Sequence, residues 1–362
     1  MVNSIDPHPI STANLAPDFT QAVGNVPIVR LNRVSELCQQ HDLYFKLEAC
    51  NPGGSIKEKN AICLVNRAEV AGLLSPNGTI VESSSGNFGI ALAMVGAVRG
   101  YRVKIVIDAK TSDTMRRILA AHGAELVEVP LSAADENGSM QVARMHKAQE
   151  LARSIPGAWY PCQHNNPHNP DAHELYTARE IESAFNGAPD AIVIGVSTAG
   201  QLAGISRYFK QHYPRTKIIG VDVAGSAVFG TPRFAYKMTG LGLSFVPPNF
   251  DRHLLDFAYT VSDRVAFSYC HQIARLEGLL LGASTGAILA GGLAYARSQA
   301  AQNSSILMLN PDRGDRYLET VYDVDWLTAN RIDLLDRSQL ESAISTLAPI
   351  EFAVESATPL YP

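Results

Sequence analysis

Short runs of β-branched and other apolar residues recur along the chain and predict strands. Seven such runs lie at residues 43–47, 79–82, 103–107, 125–129, 191–194, 217–221 and 305–309. Between them, apolar residues repeat with helical spacing at 56–74, 91–98, 113–122, 140–153 and 172–185. Strands and helices alternate in this way when parallel strands are joined by crossover helices. The pattern therefore predicts an α/β fold.

Two polar stretches interrupt the pattern, at residues 130–138 and 163–170. The second is expected to connect two sheet domains. A chain of 362 residues accommodates two domains at about 150 residues each. We expect each domain to be a twisted, mostly parallel sheet flanked by helices. Residues 329–362 resume an amphipathic pattern and predict an added C-terminal helix.

The composition excludes several classes of protein. With 30 Lys and Arg against 35 Asp and Glu, the net charge of −5 provides no cationic field for nucleic acid or anionic lipid. The sequence shows neither a membrane-spanning apolar run nor a signal-peptide pattern in residues 1–17. Five cysteines without a CxxC pair predict neither a disulfide framework nor a thiolate zinc site. His164, His168 and His173 are loosely spaced and form no HxxxH motif on a predicted helix, so a metal site is not expected. We expect a cytoplasmic protein that binds neither nucleic acid nor membrane.

A lysine stands in the first turn of a predicted helix. Residues 51–57 read Asn-Pro-Gly-Gly-Ser-Ile-Lys, which places a glycine turn directly before the helix. A cation at this position opposes the helix dipole. The conflict is relieved if Lys57 bonds a carbonyl cofactor or remains a neutral amine. Taken alone, the segment favours the simpler alternative of an exposed lysine.

Three further segments join a strand to a helix through small residues. Residues 82–89 carry hydroxyls and backbone N–H groups that could hold a carboxylate, and a helix N-cap cluster explains them equally well. Residues 195–204 depart from GxGxxG and lack the GK[ST] of a P-loop, which leaves a single phosphate group as the expected ligand. Residues 282–286 are, by themselves, best explained as a close-packed helix start.

In this order and at these spacings, the segments resemble the fold-type II pyridoxal-phosphate enzymes, specifically the cysteine synthase and cystathionine β-synthase group. The resemblance extends from residues 23–31 to residues 311–318. It implies a tryptophan synthase β-like fold, pyridoxal 5'-phosphate as cofactor, amino-acid substrates and a homodimer. It also implies three parts: a larger cofactor-binding domain (1–50 and 156–328), a smaller mobile domain (51–155) and a C-terminal helical extension (329–362).

The resemblance assigns roles to individual residues. Lys57 is implied to form the internal aldimine and to remove the α proton of the substrate, and Ser284 to face the pyridine nitrogen. The residues implied to contact the substrate carboxylate are Ser84, Ser85, Gly86, Asn87 and Gln163, of which Asn87 also contacts the 3' oxygen of the cofactor. The residues implied to cradle the phosphate are Ser197, Thr198, Ala199, Gly200 and Gln201. A neutral hydroxyl at Ser284 makes a weak electron sink, which favours loss of a β leaving group and an aminoacrylate that a nucleophile attacks.

Several positions differ from the usual cysteine synthase pattern. Residues 197–200 read Ser-Thr-Ala-Gly where GTGG is usual, and Arg144 lies on a predicted helix where ordinary sulfhydrylases are not expected to have an arginine. The chain is similar to a siderophore-pathway branch of the group in the Ser-Thr-x-Gly loop, in residues 225–230 and in residues 311–318 followed by Trp326. That branch is implied to join O-phospho-L-serine to the amine of L-glutamate, giving N-(2-amino-2-carboxyethyl)-L-glutamate, a precursor of L-2,3-diaminopropionate. A guanidinium fork suits phosphate and carboxylate, so Arg144 is a candidate for substrate contact, with His164 and Ser197.

Alternatives remain open at this point. The chain could be a cysteine synthase that uses O-acetylserine or O-phosphoserine with sulfide. It could also be a catalytically silent homologue that binds cofactor as a regulator, although the intact Lys57, Asn87 and Ser284 argue against this. Arg144 could form a surface or structural ion pair, and His164 could be a solvated loop histidine.

Overall fold

Two β-sheets organise the chain. The computed structural model describes residues 16–36, 41–299 and 303–352. Its strands are β1 (Ile28–Arg30), β2 (His41–Leu47), β3 (Thr79–Ser83), β4 (Arg102–Asp108), β5 (Glu125–Val129), β6 (Ala158–Trp159), β7 (Ala191–Gly195), β8 (Lys217–Val223), β9 (Phe257–Val261) and β10 (Ser304–Asn310). The six-stranded sheet has the order β1-β2-β10-β7-β8-β9, and the four-stranded sheet the order β5-β4-β3-β6. Only β1 is antiparallel to its neighbour within these sheets.

Helices connect and flank the strands. They are α1 (Asn32–Ser35), α2 (Lys57–Val70), α3 (Asn87–Arg99), α4 (Asp113–Ala121), α5 (Gln141–Ser154), α6 (Ala178–Phe185), α7 (Gly200–His212), α8 (Asp263–Leu276), α9 (Ala283–Ser298), α10 (Val324–Ala329) and α11 (Arg337–Ser345). A π-helical turn, His173–Thr177, leads into α6. Within the described residues, no helix is long and apolar enough to cross a membrane.

The α/β class predicted from the sequence is confirmed. All seven predicted strands are present, each with the predicted bounds or one to two residues longer at an end. The three strands that the pattern did not predict are β1, β6 and β9. The predicted domain boundaries at residues 50, 155 and 328 stay predictions. The smaller sheet takes its edge strand β6 from Ala158–Trp159, just beyond residue 155.

The larger core forms where α9 packs across the six-stranded sheet. Strand β7 is buried on both faces from Ala191 to Ile194, as expected of a parallel strand covered by helices on either side. Helix α9 approaches β8 closely because Gly291 has no side chain: a Cβ there would lie 2.4 Å from a methyl of Val221. This close packing fixes the start of α9, which carries Ser284.

The C-terminal extension contains the short helix α11. A capping box formed by Asp336 and Gln339 begins this helix. Leu340 and Ile344 are buried and join the larger core. The added helix predicted from the amphipathic pattern is present at Arg337–Ser345, and the structure shows that it packs on the larger core. The predicted extension also includes residues 353–362, which lie outside the described chain.

Four charged side chains form a buried ion cluster next to the start of α2. The cluster consists of Lys46, Glu48, Lys59 and Glu180. Glu48 Oε1 lies 2.9 Å from Lys59 Nζ and 3.4 Å from Lys46 Nζ, and Glu180 contacts both ammonium groups. Burial raises the pKa of Glu48, but Lys59 and Lys46 outweigh it and lower the pKa to about 2. The cluster is therefore neutral as a whole and ties β2, α2 and α6 together.

Candidate active site

The loops after β7 and β10 meet the start of α2 and the start of α3 around a small cavity, which we call the inner pocket. Its volume is about 40 Å³. Its lining includes Lys57, Asn87, Ser197, Thr198, Ala199, Gln201, Ser284 and Asp312. Ligands of α/β proteins commonly bind at the carboxyl ends of the strands, where this pocket lies. The pocket thus brings together residues that are far apart in the sequence, such as Lys57, Asn87 and Ser284.

Lys57 is held in place by backbone pairing between two loops. Ile56 N donates to the carbonyl of Pro311 (2.8 Å), and Arg313 N donates to that of Gly54 (3.1 Å). Gly54 has a φ of +81°, and a Cβ there would lie 2.8 Å from the Arg313 side chain, so the turn requires glycine. The ammonium of Lys57 has no carboxylate within 4 Å in the described chain. Lys57 therefore faces the inner pocket without an ion-pair partner.

Burial sets the protonation of Lys57. The surrounding protein lowers the pKa of the amine from 10.5 to about 8, although the charge of Asp312 acts in the opposite direction. At neutral pH a sizeable fraction of the amine is therefore uncharged and nucleophilic. This agrees with the interpretation of Lys57 as a reactive amine and not with that of an exposed lysine.

Asn87 is clamped by the charged loop that follows β10. Its Nδ2 donates to Asp312 Oδ2 (2.7 Å), and Arg316 donates to its Oδ1. Tyr317 donates to the same Asp312 oxygen (2.6 Å), while Asp312 Oδ1 is buried without a partner in the described chain. Burial raises the pKa of Asp312. The charge run 312–316 therefore belongs to the site, and its two hydrogen bonds fix the orientation of the Asn87 amide.

The loop before α7 forms a tight anion cradle. Ala199 adopts a left-handed φ of +61°, and α7 begins at the next residue. Gly200 packs directly against Asn169, because a Cβ on Gly200 would lie 2.2 Å from Asn169 Oδ1. Gly200 therefore shapes the loop, and it does not line the inner pocket. The Nε2 of Gln201 is buried and has no partner among the described residues. Free backbone N–H groups at a helix start and this unpartnered amide are suited to a phosphate.

Asn169 was not predicted and connects three parts of the site. Its Nδ2 donates to the carbonyl of Gln163 (2.7 Å) and to Thr198 Oγ1 (3.2 Å), and its Oδ1 accepts from Asn60 (2.6 Å) on α2. No motif marks this asparagine in the sequence. Its importance becomes visible only when the connector, the anion cradle and α2 are seen in contact.

Ser84, Ser85 and Gly86, which precede α3, differ in their contacts and in the cavity that they line. Ser84 Oγ accepts from Gly89 N (3.0 Å) in the first turn of α3, although the N-cap residue of this helix is Gly86. The side chain of Ser84 therefore holds the start of the helix. Ser85 lines a second, larger cavity and accepts a hydrogen bond from Arg144. Gly86 lines neither cavity. Of the three, Ser85 has the side chain best placed to meet a ligand.

The second cavity, which we call the entrance cavity, has a volume of about 220 Å³. It lies between residues 137–144 of the smaller domain and the irregular segment 225–244. Its lining includes Ser85, Asp108, Lys110, Gln141, Arg144, Arg233, Tyr236 and Thr239. The pattern of the sequence did not identify Lys110, Arg233 or Tyr236, because they lie on loops without a motif.

Arg144 is buried at the inner side of the entrance cavity. It lies on α5, as predicted, and its Nη1 is 2.8 Å from Asp108 Oδ2. The same nitrogen donates to Ser85, while Nε has no partner in the described chain. Burial lowers the pKa of the guanidinium from 12.5, and Asp108 counteracts this. Arg144 thus forms a structural ion pair and also lines the cavity.

Gln163 and His164 are neighbours in the connector, and both are buried. Gln163 N donates to Glu82 Oε2 (3.2 Å), and burial raises the pKa of Glu82 to about 8. His164 is only 5% exposed and packs against Phe245 with ring centroids 5.9 Å apart, so the interpretation as a solvated loop histidine is wrong. Burial, followed by the charges of Arg144 and Lys57, lowers the pKa of His164 to about 3. His164 is therefore neutral at working pH.

Comparisons with known proteins identify the family to which the chain belongs. The family described as "Pyridoxal-phosphate dependent enzyme" matches residues 19–312. The N-(2-amino-2-carboxyethyl)-L-glutamate synthase of Cupriavidus metallidurans is 35% identical over 309 residues, which cover 85% of this chain and 90% of that protein. The cystathionine beta-synthase of Saccharomyces cerevisiae is 34% identical over 349 residues, which cover 91% of this chain and 68% of that protein.

The chain belongs to the cysteine synthase and cystathionine β-synthase family of pyridoxal-phosphate dependent enzymes. Among solved structures, O-ureido-L-serine synthase superposes with a TM-score of 0.79 at 33% identity, covering 90% of this chain and 98% of that one. The O-acetylserine dependent cystathionine beta-synthase of Helicobacter pylori gives 0.78 at 32% identity, covering 85% and 98%. These relatives are named for different products. Membership in the family therefore establishes the cofactor and the β-replacement class of the enzyme. The individual reaction has to be inferred from the residues of the site.

The inner pocket fits the family's cofactor. A carbonyl group requires an uncharged amine, and Lys57 provides one with a pKa of about 8. A phosphate requires hydrogen-bond donors, which the start of α7 and the unpartnered, buried Gln201 Nε2 provide. A pyridine ring requires a neighbouring polar group, and Ser284 lines the pocket at the start of α9.

The pKa of Lys57 predicts how fast the apoprotein takes up pyridoxal 5'-phosphate. We expect the rate to rise about tenfold per pH unit up to pH 8 and then to level off, because only the neutral amine reacts. At pH 7 the neutral fraction is roughly 300 times that of a lysine with an ordinary pKa. Stopped-flow absorbance between pH 6 and pH 11 measures this, and a rate that continues to rise up to about pH 10.5 would contradict the predicted pKa.

Proposed function

We propose that this enzyme joins O-phospho-L-serine to the amine of L-glutamate by β-replacement, giving N-(2-amino-2-carboxyethyl)-L-glutamate, a precursor of L-2,3-diaminopropionate. The observation that carries the proposal is the buried Arg144, whose guanidinium contacts Ser85 inside the entrance cavity. Holding a buried cation costs solvation energy, which an anionic substrate group would offset. Two relatives named as this synthase, at 35% and 33% identity, support the same reaction.

The residues of the inner pocket are proposed to hold the cofactor in one orientation. Lys57 would bond it, Asn87 would contact its ring oxygen, and Ser284 would face its ring nitrogen. Its phosphate would lie on Ser197, Thr198, Ala199 and Gln201, in a loop whose shape depends on Gly200. Bound pyridoxal phosphate supplies the electron sink that acidifies the α carbon of an amino acid and lets a β substituent leave.

The chain's own residues would then handle the proton and the anions. The carboxylate of the donor would bind to the loop of Ser84, Ser85, Gly86 and Asn87, with Gln163. Lys57 would remove the α proton of the donor and return it after the amine of the nucleophile has added. Arg144 and Ser197 would contact the departing phosphate. His164 is neutral at working pH and would contribute a hydrogen bond without a charge.

A second candidate is a cysteine synthase that uses O-acetylserine or O-phosphoserine with sulfide. The observation that favours it is the ion pair of Arg144 with Asp108, which already compensates the charge of the guanidinium. An H. pylori structure described as O-acetylserine dependent supports a smaller β substituent, uncharged before it leaves, in this fold. The homodimer and the cytoplasmic location implied by the resemblance stay predictions.

The variant Arg144→Lys separates the proposed reaction from a cysteine synthase that uses O-acetylserine as donor. This variant keeps the charge beside Asp108 and loses the two-pronged fork. We expect kcat/KM for O-phospho-L-serine to fall roughly 10-fold to 100-fold, as loss of a hydrogen bond between charged groups implies, with O-acetylserine affected less than threefold. Steady-state kinetics with each donor measure this.

Lys147→Met is the matched control, because Lys147 lies on the same helix and is exposed beside Glu150. It should leave both donors unaffected. If Arg144→Lys lowers kcat/KM equally for the two donors, Arg144 has only a structural role and the cysteine synthase candidate is favoured.

A further inference from the structure

The outer part of the entrance cavity carries positive charge that no predicted role accounts for. Three cations line the cavity, namely Arg144, Lys110 and Arg233. Asp108 compensates Arg144 and Asp135 compensates Arg233. Lys110 donates to the carbonyl of Gly138 and, within the described residues, has no carboxylate within 4 Å. The cavity therefore has an excess of one positive charge, located at its exposed side.

Both outer cations retain the capacity to bind an anion. An ammonium has three N–H donors and a guanidinium five, whereas Lys110 and Arg233 each make one hydrogen bond in the described chain. The ion pair of Arg233 with Asp135 is about one third exposed on both sides. Pairs of this kind contribute little, so a ligand carboxylate can share or displace the guanidinium at small cost.

The two sides of this cavity come from different domains. Arg233 Nη2 lies 2.9 Å from Asp135 Oδ2, and Gln141 Oε1 accepts from Ser244 N (2.8 Å). Arg144 and Ser85 lie at the inner side, and Ser85 immediately precedes the loop that leads to Asn87 in the inner pocket. A molecule in the cavity can therefore present one end to the inner pocket while its other end contacts Lys110 and Arg233.

We propose that Lys110 and Arg233 bind the side-chain carboxylate of an acidic amino-acid nucleophile. This inference rests on the proposed function and deepens it, because it assigns the residues that select the nucleophile. A nucleophile of a single heavy atom, such as sulfide, reaches the inner pocket without contacting either residue. An amino acid with a neutral side chain gains nothing from them.

The test separates the two halves of the reaction. We expect O-phospho-L-serine alone to produce a long-wavelength absorbance band in the holoenzyme, which the added nucleophile then discharges. In Lys110→Met and Arg233→Gln we expect the band to form at the native rate. We expect kcat/KM for L-glutamate in the discharge to fall roughly tenfold or more. The discharge by L-glutamine, a neutral isostere, should change less than twofold.

Asp135→Asn distinguishes carboxylate binding from a mere contact between domains. It breaks the ion pair but keeps the guanidinium of Arg233, so it should maintain or increase the rate with L-glutamate. If Asp135→Asn and Arg233→Gln lower the rates with L-glutamate and L-glutamine alike, Arg233 only holds the domains together and the proposal is overturned. Unchanged L-glutamate kinetics in both cation variants would overturn it as well.

Failure of the proposed function gives a different result. If the native enzyme forms the band and only sulfide discharges it, the glutamate reaction itself is wrong, and the carboxylate subsite fails with it. If L-glutamate discharges the band in the native enzyme and in both variants alike, the proposed function stands and only the subsite is refuted. Lys147→Met serves again as the exposed-cation control and should match the native enzyme throughout.

Discussion

Replacing Lys57 with alanine is expected to lower kcat by at least about 10³-fold, because one side chain both bonds the cofactor and transfers the substrate proton. A water molecule can replace neither function at the base of the inner pocket. Kinetics of donor consumption, with cofactor in excess, measure the loss. A variant that retained more than about one hundredth of the native kcat would contradict the assignment of Lys57.

The same substitution should not weaken the fold. Lys57 has no ion-pair partner in the described chain, and its pKa in the folded protein, about 8, lies below the 10.5 of an ordinary lysine. At pH 7 the unfolded chain therefore holds this proton more tightly than the folded one, and removing the amine removes that penalty. Lys59 lies two residues further along α2 and belongs to the buried ion cluster. Lys59→Ala should therefore have the opposite effect and give a less stable apoprotein.

Replacing Glu48 with glutamine is expected to lower the free energy of unfolding by about 3–5 kcal/mol. The two lysines of the cluster, Lys46 and Lys59, are almost completely buried and would share the single carboxylate of Glu180. An uncompensated buried cation is among the most costly defects in a protein interior. Urea unfolding at pH 7, followed by far-UV circular dichroism, measures the change.

Two controls test the reason for this loss. Asp42→Asn breaks an exposed ion pair between Asp42 on β2 and Arg30 on the neighbouring strand β1, and it should cost less than about 1 kcal/mol. Adding Lys46→Met to Glu48→Gln restores neutrality, so the double variant should recover much of the lost stability. Because the pKa of Glu48 is lowered to about 2, its stabilising effect should persist above pH 4.5 and disappear as the pH falls toward 2. A single variant within 1 kcal/mol of the native protein would refute the cluster's contribution.

The sequence pattern was sufficient to predict the elements with strong local signals. Strands such as Ala191–Gly195 are apolar throughout, and the small-residue turns before α2, α3 and α7 lie where glycine and serine predicted them. Strands β1 and β6 have three and two residues, too few for a periodic signal. Strand β9 has the apolar character of a strand, but it follows the long segment 224–256, in which the sequence pattern predicted neither a strand nor a helix.

Contacts between distant segments could not be predicted from the sequence. The pairing of residues 54–56 with 311–313 joins parts of the chain that are more than 250 positions apart, and it places Asp312 beside Lys57. The charge run after β10 indicated a site, but its contact with Asn87 depended on the fold. Likewise, Arg144 was expected to be either an ion-pair partner or a cavity residue, whereas its burial beside both Asp108 and Ser85 makes it both.

The central claim is that the enzyme forms a C–N bond between O-phospho-L-serine and L-glutamate. The most direct measurement offers the holoenzyme O-phospho-L-serine with equal concentrations of L-glutamate and sulfide and identifies the products by mass spectrometry. We predict that N-(2-amino-2-carboxyethyl)-L-glutamate is the main product and that omitting L-glutamate stops its formation. Cysteine as the main product, with no adduct of L-glutamate, would contradict the claim.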